Sequence, residues 1–164
     1  MNKNFKFVIL IIVLCFITGC YQITTEEYIK KEIGIDISKC YIEREHDNHG
    51  GFHGDGEYIA QINCSESKNE FVNQLEKWKK IPLTENLHLI MYGGTIDGTN
   101  YMYNFAQNND IPEIKNGYYY FIDRHSDAKN KYSDADLFDK YSYNFTLALF
   151  DLETGIFYYY ELDT

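Results

Sequence analysis

The chain holds few of the residues that interrupt structure. Only two prolines, Pro82 and Pro112, occur in 164 residues, so no proline-rich linker marks a seam between domains. Beyond the first twenty positions there is no apolar run of about twenty residues, which excludes a further spanning helix of ordinary length. The motifs G-x-S-x-G and HExxH are both absent, so neither a nucleophile elbow nor a helical zinc-protease site is present. Basic residues are scarce, 15 Lys and Arg against 25 Asp and Glu, for a net charge of −10. Such a balance disfavours nucleic acid as a partner, because nonspecific binding to phosphate backbones needs a cationic surface. It also repels an anionic membrane surface and weakly favours cationic partners and metal ions. Of the four cysteines, Cys15 and Cys20 lie in the first twenty residues.

Those first residues, MNKNFKFVILIIVLCFITGC, combine Lys3 and Lys6 with an almost unbroken apolar run from Phe7 to Ile17. This is the layout of a secretory signal, short for a stable spanning helix. The run ends in Ile17-Thr18-Gly19-Cys20, which resembles the bacterial lipobox. The expectation is a signal peptide over 1–19, cleavage before Cys20, and a diacylglycerol on its sulfur, since two acyl chains give stable anchoring where one is marginal. Residues 20–24 then form a tether and 25–164 a single domain. Without Lys3 and Lys6 the net charge falls to about −12, so the lipid has to anchor the protein unaided by charge.

Along that domain, Thr24-x-x-Glu27 is a capping box ahead of a short amphipathic helix closed by Gly34. KCYIEREHD and EYIAQINC read as two strands of a hairpin. If residues whose numbers sum to 104 face each other, Cys40 meets Cys64 and Ile42 meets Ile62 on an apolar face. Nearer the loop the contrast fades, with Arg44 opposite Ala60 and Glu45 opposite Ile59. Ser67-x-x-Glu70 predicts a second capping box, and Phe71, Val72, Leu75 and Trp78 a helix stripe ended by Pro82. LTENLHLIMYGG predicts a third helix from a Thr84 cap to Gly93. The stretch 94–110 is ambiguous, a loop with a short strand. Asn116-Gly117 is a hairpin-turn signal before an aromatic strand. The stretch 126–140 is a polar loop with one helical turn near Asp134. A terminal hairpin puts Tyr143, Phe145, Leu147 and Leu149 on one face. The expected class is α+β, a mainly antiparallel sheet of four to five strands with two or three short helices on one side.

The richest concentration of chemistry is HDNHGGFHGDG, 46–56. His46, His49 and His53, with Asp47 and Asp55, are first-row metal ligands, and glycines let a backbone approach a ligand closely. About eleven residues between His46 and Tyr58 exceed what a tight turn requires, and long loops carried on a rigid hairpin often hold function. The competing reading is a solvated hairpin loop. A second cluster, Asp123-Arg124-His125, sets Asp123 and His125 on one strand face, where an Asp–His pair can form a general base or a surface ion pair. Cys40 and Cys64 form a disulfide or remain two buried thiols; export permits the first.

HGGFHGDGE, IPLTENL, NGYYYFIDRHSD and the closing FYYYELDT resemble a group of small lipoproteins of Gram-positive, clostridial-type bacteria. The resemblance spans nearly all of the chain after the signal. It implies a lipid on Cys20 and a place on the outer leaflet, and it brings no activity with it. The expectation is a cell-surface binding or interaction domain that takes a small-molecule, wall or protein ligand. His46, His49, His53, Asp55, Asp123, Arg124 and His125 are its candidate contacts, and no cofactor is expected. The alternative is a hydrolase in which a divalent metal sits on His46, His49 and His53.

Overall fold

A computed structural model describes residues 23–50 and 54–164, and these fall into two compact units, the first ending at Ile35 and the second running Asp36–Thr164. Cys20, the expected signal peptide over 1–19 and His53 therefore lie outside the described residues. In the first unit, helix α1 spans Thr25–Ile33. Its start follows from the sequence: Thr24 Oγ1 accepts the Glu27 N–H and Glu27 returns a bond to the Thr24 N–H, satisfying two N-terminal donors. Gly34, at φ 75°, closes it in the left-handed conformation glycine adopts freely.

The second unit is built on a six-stranded sheet, all of whose pairs are antiparallel. In chain order its strands are β1 (Tyr41–Asp47), β2 (Gly56–Asn63), β3 (Lys79–Lys80), β6 (Gly117–Asp123), β7 (Asn144–Asp151) and β8 (Ile156–Asp163). They lie side by side as β1-β2-β8-β7-β6-β3. Strands β4 (Gly94–Ile96) and β5 (Thr99–Tyr101) form a separate pair. The helices are α2 (Lys68–Val72), α3 (Glu85–Tyr92) and α4 (Phe105–Asn108). The class is α+β as expected, but six strands and a second small sheet replace the expected four to five. The difference lies in β3, only two residues long, and in β4 and β5, linked by a two-residue turn in which Asp97 and Gly98 both have positive φ. Asp-Gly is the favoured composition for that turn, whose twist matches the strands it joins.

Both faces of the sheet are covered, which corrects the expectation of helices on one side. On one face Leu87, Ile90 and Met91 of α3 join Tyr119, Phe121, Phe145, Leu147, Leu149, Tyr158 and Tyr160 in the core. On the other, Phe71 of α2 packs on Phe150 at 4.5 Å and Phe157 at 5.1 Å, and Trp78 on Tyr120 at 5.7 Å between ring centres. Strand β7 is thus sandwiched, and every residue from Phe145 to Asp151 is buried. A strand with two buried faces loses the alternation that marks a half-exposed one.

Four further expectations are corrected. The stripe from Phe71 to Trp78 is not one helix, since α2 ends at Val72 and Trp78 precedes β3. Ser67 caps nothing, because its hydroxyl donates to the Lys39 carbonyl. The stripe reported burial correctly, as Phe71, Leu75 and Trp78 are all buried. Asn116-Gly117 is not a hairpin turn but the entry to β6, where Gly117 faces Asp151. Glycine is required there for closeness: a Cβ would lie 2.0 Å from the Phe150 oxygen. Finally, the β1–β2 register holds at Tyr41–Asn63 and Ile42–Ile62, then shifts by one at Glu43, so that Arg44 faces Gln61 and Glu45 faces Ala60. That bulge is held by Glu43, whose carboxylate accepts from Gln61 Nε2 at 2.8 Å and Asn63 Nδ2 at 2.9 Å.

Candidate functional site

The strand order collects several chain segments at one end of the sheet. Gly56 faces Asp163, Asn144 faces Asp163 and Asp123 faces Phe145. The loop after β1, the C-terminus and the Asp123–His125 segment therefore meet there.

The two described ends of the loop are tied together more closely than their composition suggests. Pairing continues past Asp47–Tyr58, as Asn48 N donates to the Glu57 carbonyl at 3.0 Å, Glu57 N donates to Asn48 Oδ1 at 2.6 Å and Gly50 N donates to the Asp55 carbonyl at 3.3 Å. Gly56 is needed beneath it, since a Cβ at that position would lie 2.5 Å from the His49 Cα.

His49 is the centre of the arrangement. Asp47 Oδ1 accepts the His49 backbone N–H at 2.9 Å and also faces ring Nδ1 at 2.7 Å. Nε2 faces Asp163 Oδ2 at 3.2 Å. Asp163 in turn is held by Arg124 Nη2, 3.0 Å from Oδ1 and 3.2 Å from Oδ2. The same nitrogen donates to the Phe145 carbonyl at 3.1 Å. Acid and base thus alternate along Asp47, His49, Asp163 and Arg124. Slight burial raises the Asp47 carboxyl, but bonds from the His49 backbone and ring outweigh it, so its pKa lies below the ordinary aspartate value.

Among the described residues, then, the structure joins the two candidate clusters only through His49 and Arg124. Their link, Asp163, was not a candidate, and nothing in its local sequence singles it out. His46 is exposed on the outer strand and Asp55 is exposed in the loop. Asp123 is 1% exposed and pairs with the ammonium of Lys140, which also contacts Asp136 at 3.2 Å. Burial acts to lower the Lys140 pKa, and its hydrogen bonds to Asp123 and Asp136 outweigh this and raise it. His125 is buried, accepts the Asp127 N–H on Nδ1 at 3.1 Å, and packs edge-on against Tyr141. Asp123 Oδ1 accepts the His125 backbone N–H at 2.9 Å, a contact with the backbone and not with the ring.

Chemically this is a clamp. Both ring nitrogens of His49 face carboxylates, which leaves no ring lone pair directed at a ligand. Among the described residues, no group of three His, Cys, Asp or Glu side chains is arranged to hold a metal ion. A disulfide joins Cys40 and Cys64 at the far end of the β1–β2 hairpin, with 4.5 Å between the Cα atoms. Among the described residues, no helix is long and apolar enough to cross a membrane. No family model matches the chain, and neither curated proteins nor solved structures yield a match.

Proposed function

We propose that this chain is a lipid-anchored cell-surface domain that binds a ligand through the loop 46–56 rather than transforming one. The observation that carries this reading is the clamp on His49. It ties the base of the loop to β8 through Asp163, and through Arg124 to the end of β6. A loop fixed at its base loses less conformational freedom on binding, which favours recognition. The residues a hydrolase would need are committed inward: His49 to two carboxylates, Asp123 to Lys140, His125 to a turn. His46 and Asp55 face outward and are free to meet a small-molecule, wall or protein ligand. The anchor is Cys20, and the lipobox carries that part of the proposal.

Metabolic labelling with a fatty acid tests the anchor. Label is expected in the native chain, with unprocessed, unlabelled precursor accumulating for Cys20→Ser. Normal processing and labelling of Cys20→Ser sinks the anchor. For the loop, His46→Ala with Asp55→Ala is expected to leave the melting temperature nearly unchanged, because exposed loop changes usually cost within about 0.5 kcal/mol. The same variant should lose adhesion to purified cell wall. Unchanged adhesion places recognition elsewhere.

A further inference from the structure

The opposite edge of the sheet carries a feature that neither the clamp nor the anchor uses. In a chain with a net charge of −10, lysines are expected to find carboxylates, and Lys39, Lys115 and Lys140 do. Lys77, Lys79, Lys80 and Lys131 do not, and Lys129 acts on Asp136 only from a distance, helping to lower its pKa without pairing with it. All five are exposed, and among the described residues none enters an ion pair.

The topology brings Lys79, Lys80 and Lys131 to the outer side of β6, and Lys77 and Lys129 lie two positions from Lys79 and Lys131 in the chain. Lys79 and Lys80 form β3 and pair with Tyr119 and Tyr118. Lys79 Nζ donates to the Tyr132 carbonyl at 3.2 Å, and the Lys131 carbonyl accepts the Asp123 N–H at 2.7 Å. From the pairing position of Lys80 to that of Lys131 is five residues of strand, about 16 Å. Beside Lys80 a groove of about 460 Å³ opens, floored by Val72, Leu75, Trp78 and Tyr118 and rimmed by Asn73 and Glu76. Its size falls in the usual range for ligand sites.

We propose that this edge binds a linear anionic sugar chain, with one ring seated in the groove and its carboxylate or phosphate groups on the lysines. The charges are strung along the strand, which suits a polymer with repeating charge and not a single ion. A ring that is apolar on its face and polar on its rim matches the groove. An added peptide strand is disfavoured, because β3 offers only two residues of open edge and strands usually need three or more. Lysines also guard sheet edges against aggregation, which accounts for Lys79 and Lys80. That role does not call for Lys77, Lys129 or Lys131, nor for an aromatic groove beside them.

Trp78 is the chain's single tryptophan and lines the groove, so a change there reaches its fluorescence without a second tryptophan to mask it. The full chain in neutral detergent is titrated with polygalacturonate, with a phosphate-bearing glycan, with uncharged dextran and with phosphatidylglycerol mixed micelles. Either charged glycan is expected to change Trp78 emission, with affinity falling as salt rises, and which of them binds tighter identifies the anionic group. Lys79→Glu with Lys80→Glu should weaken this by about tenfold or more. Lys77→Glu with Lys131→Glu, which alters neither residue of β3, should weaken it too. No emission change with either glycan overturns the proposal. So does an equal response to dextran, or unaltered affinity in folded charge-reversed variants. A response to the lipid micelles alone assigns the edge to a membrane surface and likewise overturns it. The outcome does not depend on whether Cys20 carries lipid.

Discussion

Arg124 and Asp163 lie at the ends of strands that are not neighbours, yet their charged groups meet at 3.0 Å across the intervening β7. Strands two apart are separated by about 10 Å, a span that an arginine covers and a shorter base does not. The contact fixes the carboxylate against which His49 rests, so one ion pair at the C-terminus governs a loop more than a hundred positions earlier.

Asp163→Asn is therefore expected to loosen that loop more than it destabilises the domain. The pair is about a quarter exposed on both sides, so the global loss should be about 1 kcal/mol, read by urea unfolding. The local effect should be larger, with faster hydrogen exchange at the amides of His49 and Gly50. If those amides exchange as in the native chain, the clamp does not hold the loop.

The Cys40–Cys64 disulfide closes a segment with a separation of 24 residues. Replacing both cysteines by serine should cost roughly 3 kcal/mol, mainly because the unfolded chain regains freedom. Mass spectrometry after alkylation of the unreduced, unfolded protein should find neither thiol modified. Two modified thiols would show the bond does not form in the native protein.

A buried ammonium fixes the alkaline limit of the Asp123–Lys140 pair. The Lys140 pKa is raised on folding, so the stabilisation is fully present below the unfolded lysine value, about 10.4, and is lost as pH rises through the folded value. Burial raises Tyr92, Tyr143 and Tyr160 as well, so the domain as a whole weakens in alkali. Lys140→Met isolates one contribution. It should lower stability at neutral pH by about 3 kcal/mol, since Asp123 is left buried and unpaired. The gap to the native chain should then narrow above pH about 10.5. A gap that stays constant across that range refutes the assignment.

Local order in this protein is written locally. The Thr24 capping box, the Gly34 stop, the Thr84 cap and the terminal hairpin could all be read from spacing, because each depends on residues a few positions apart. The pairing of Cys40 with Cys64 was one of two readings that the Ile42–Ile62 alternation left open, and the fading of that alternation nearer the loop marked where the Glu43 bulge would fall. What spacing does not encode is which strands lie side by side. A chain of strands is compatible with many orders, and each order brings different ends together. Placing β8 between β2 and β7 puts Asp163 within reach of both His49 and Arg124, and so joins two candidate ligand-binding clusters through one clamp. The same order buries Asp123 and His125 and leaves a lysine-lined edge outside β6. Phe71 and Trp78 show the limit from the other side. Their burial was legible because apolar residues must leave water, whereas their backbone was not, because tertiary contacts with Phe150, Phe157 and Tyr120 outweigh local helix preference.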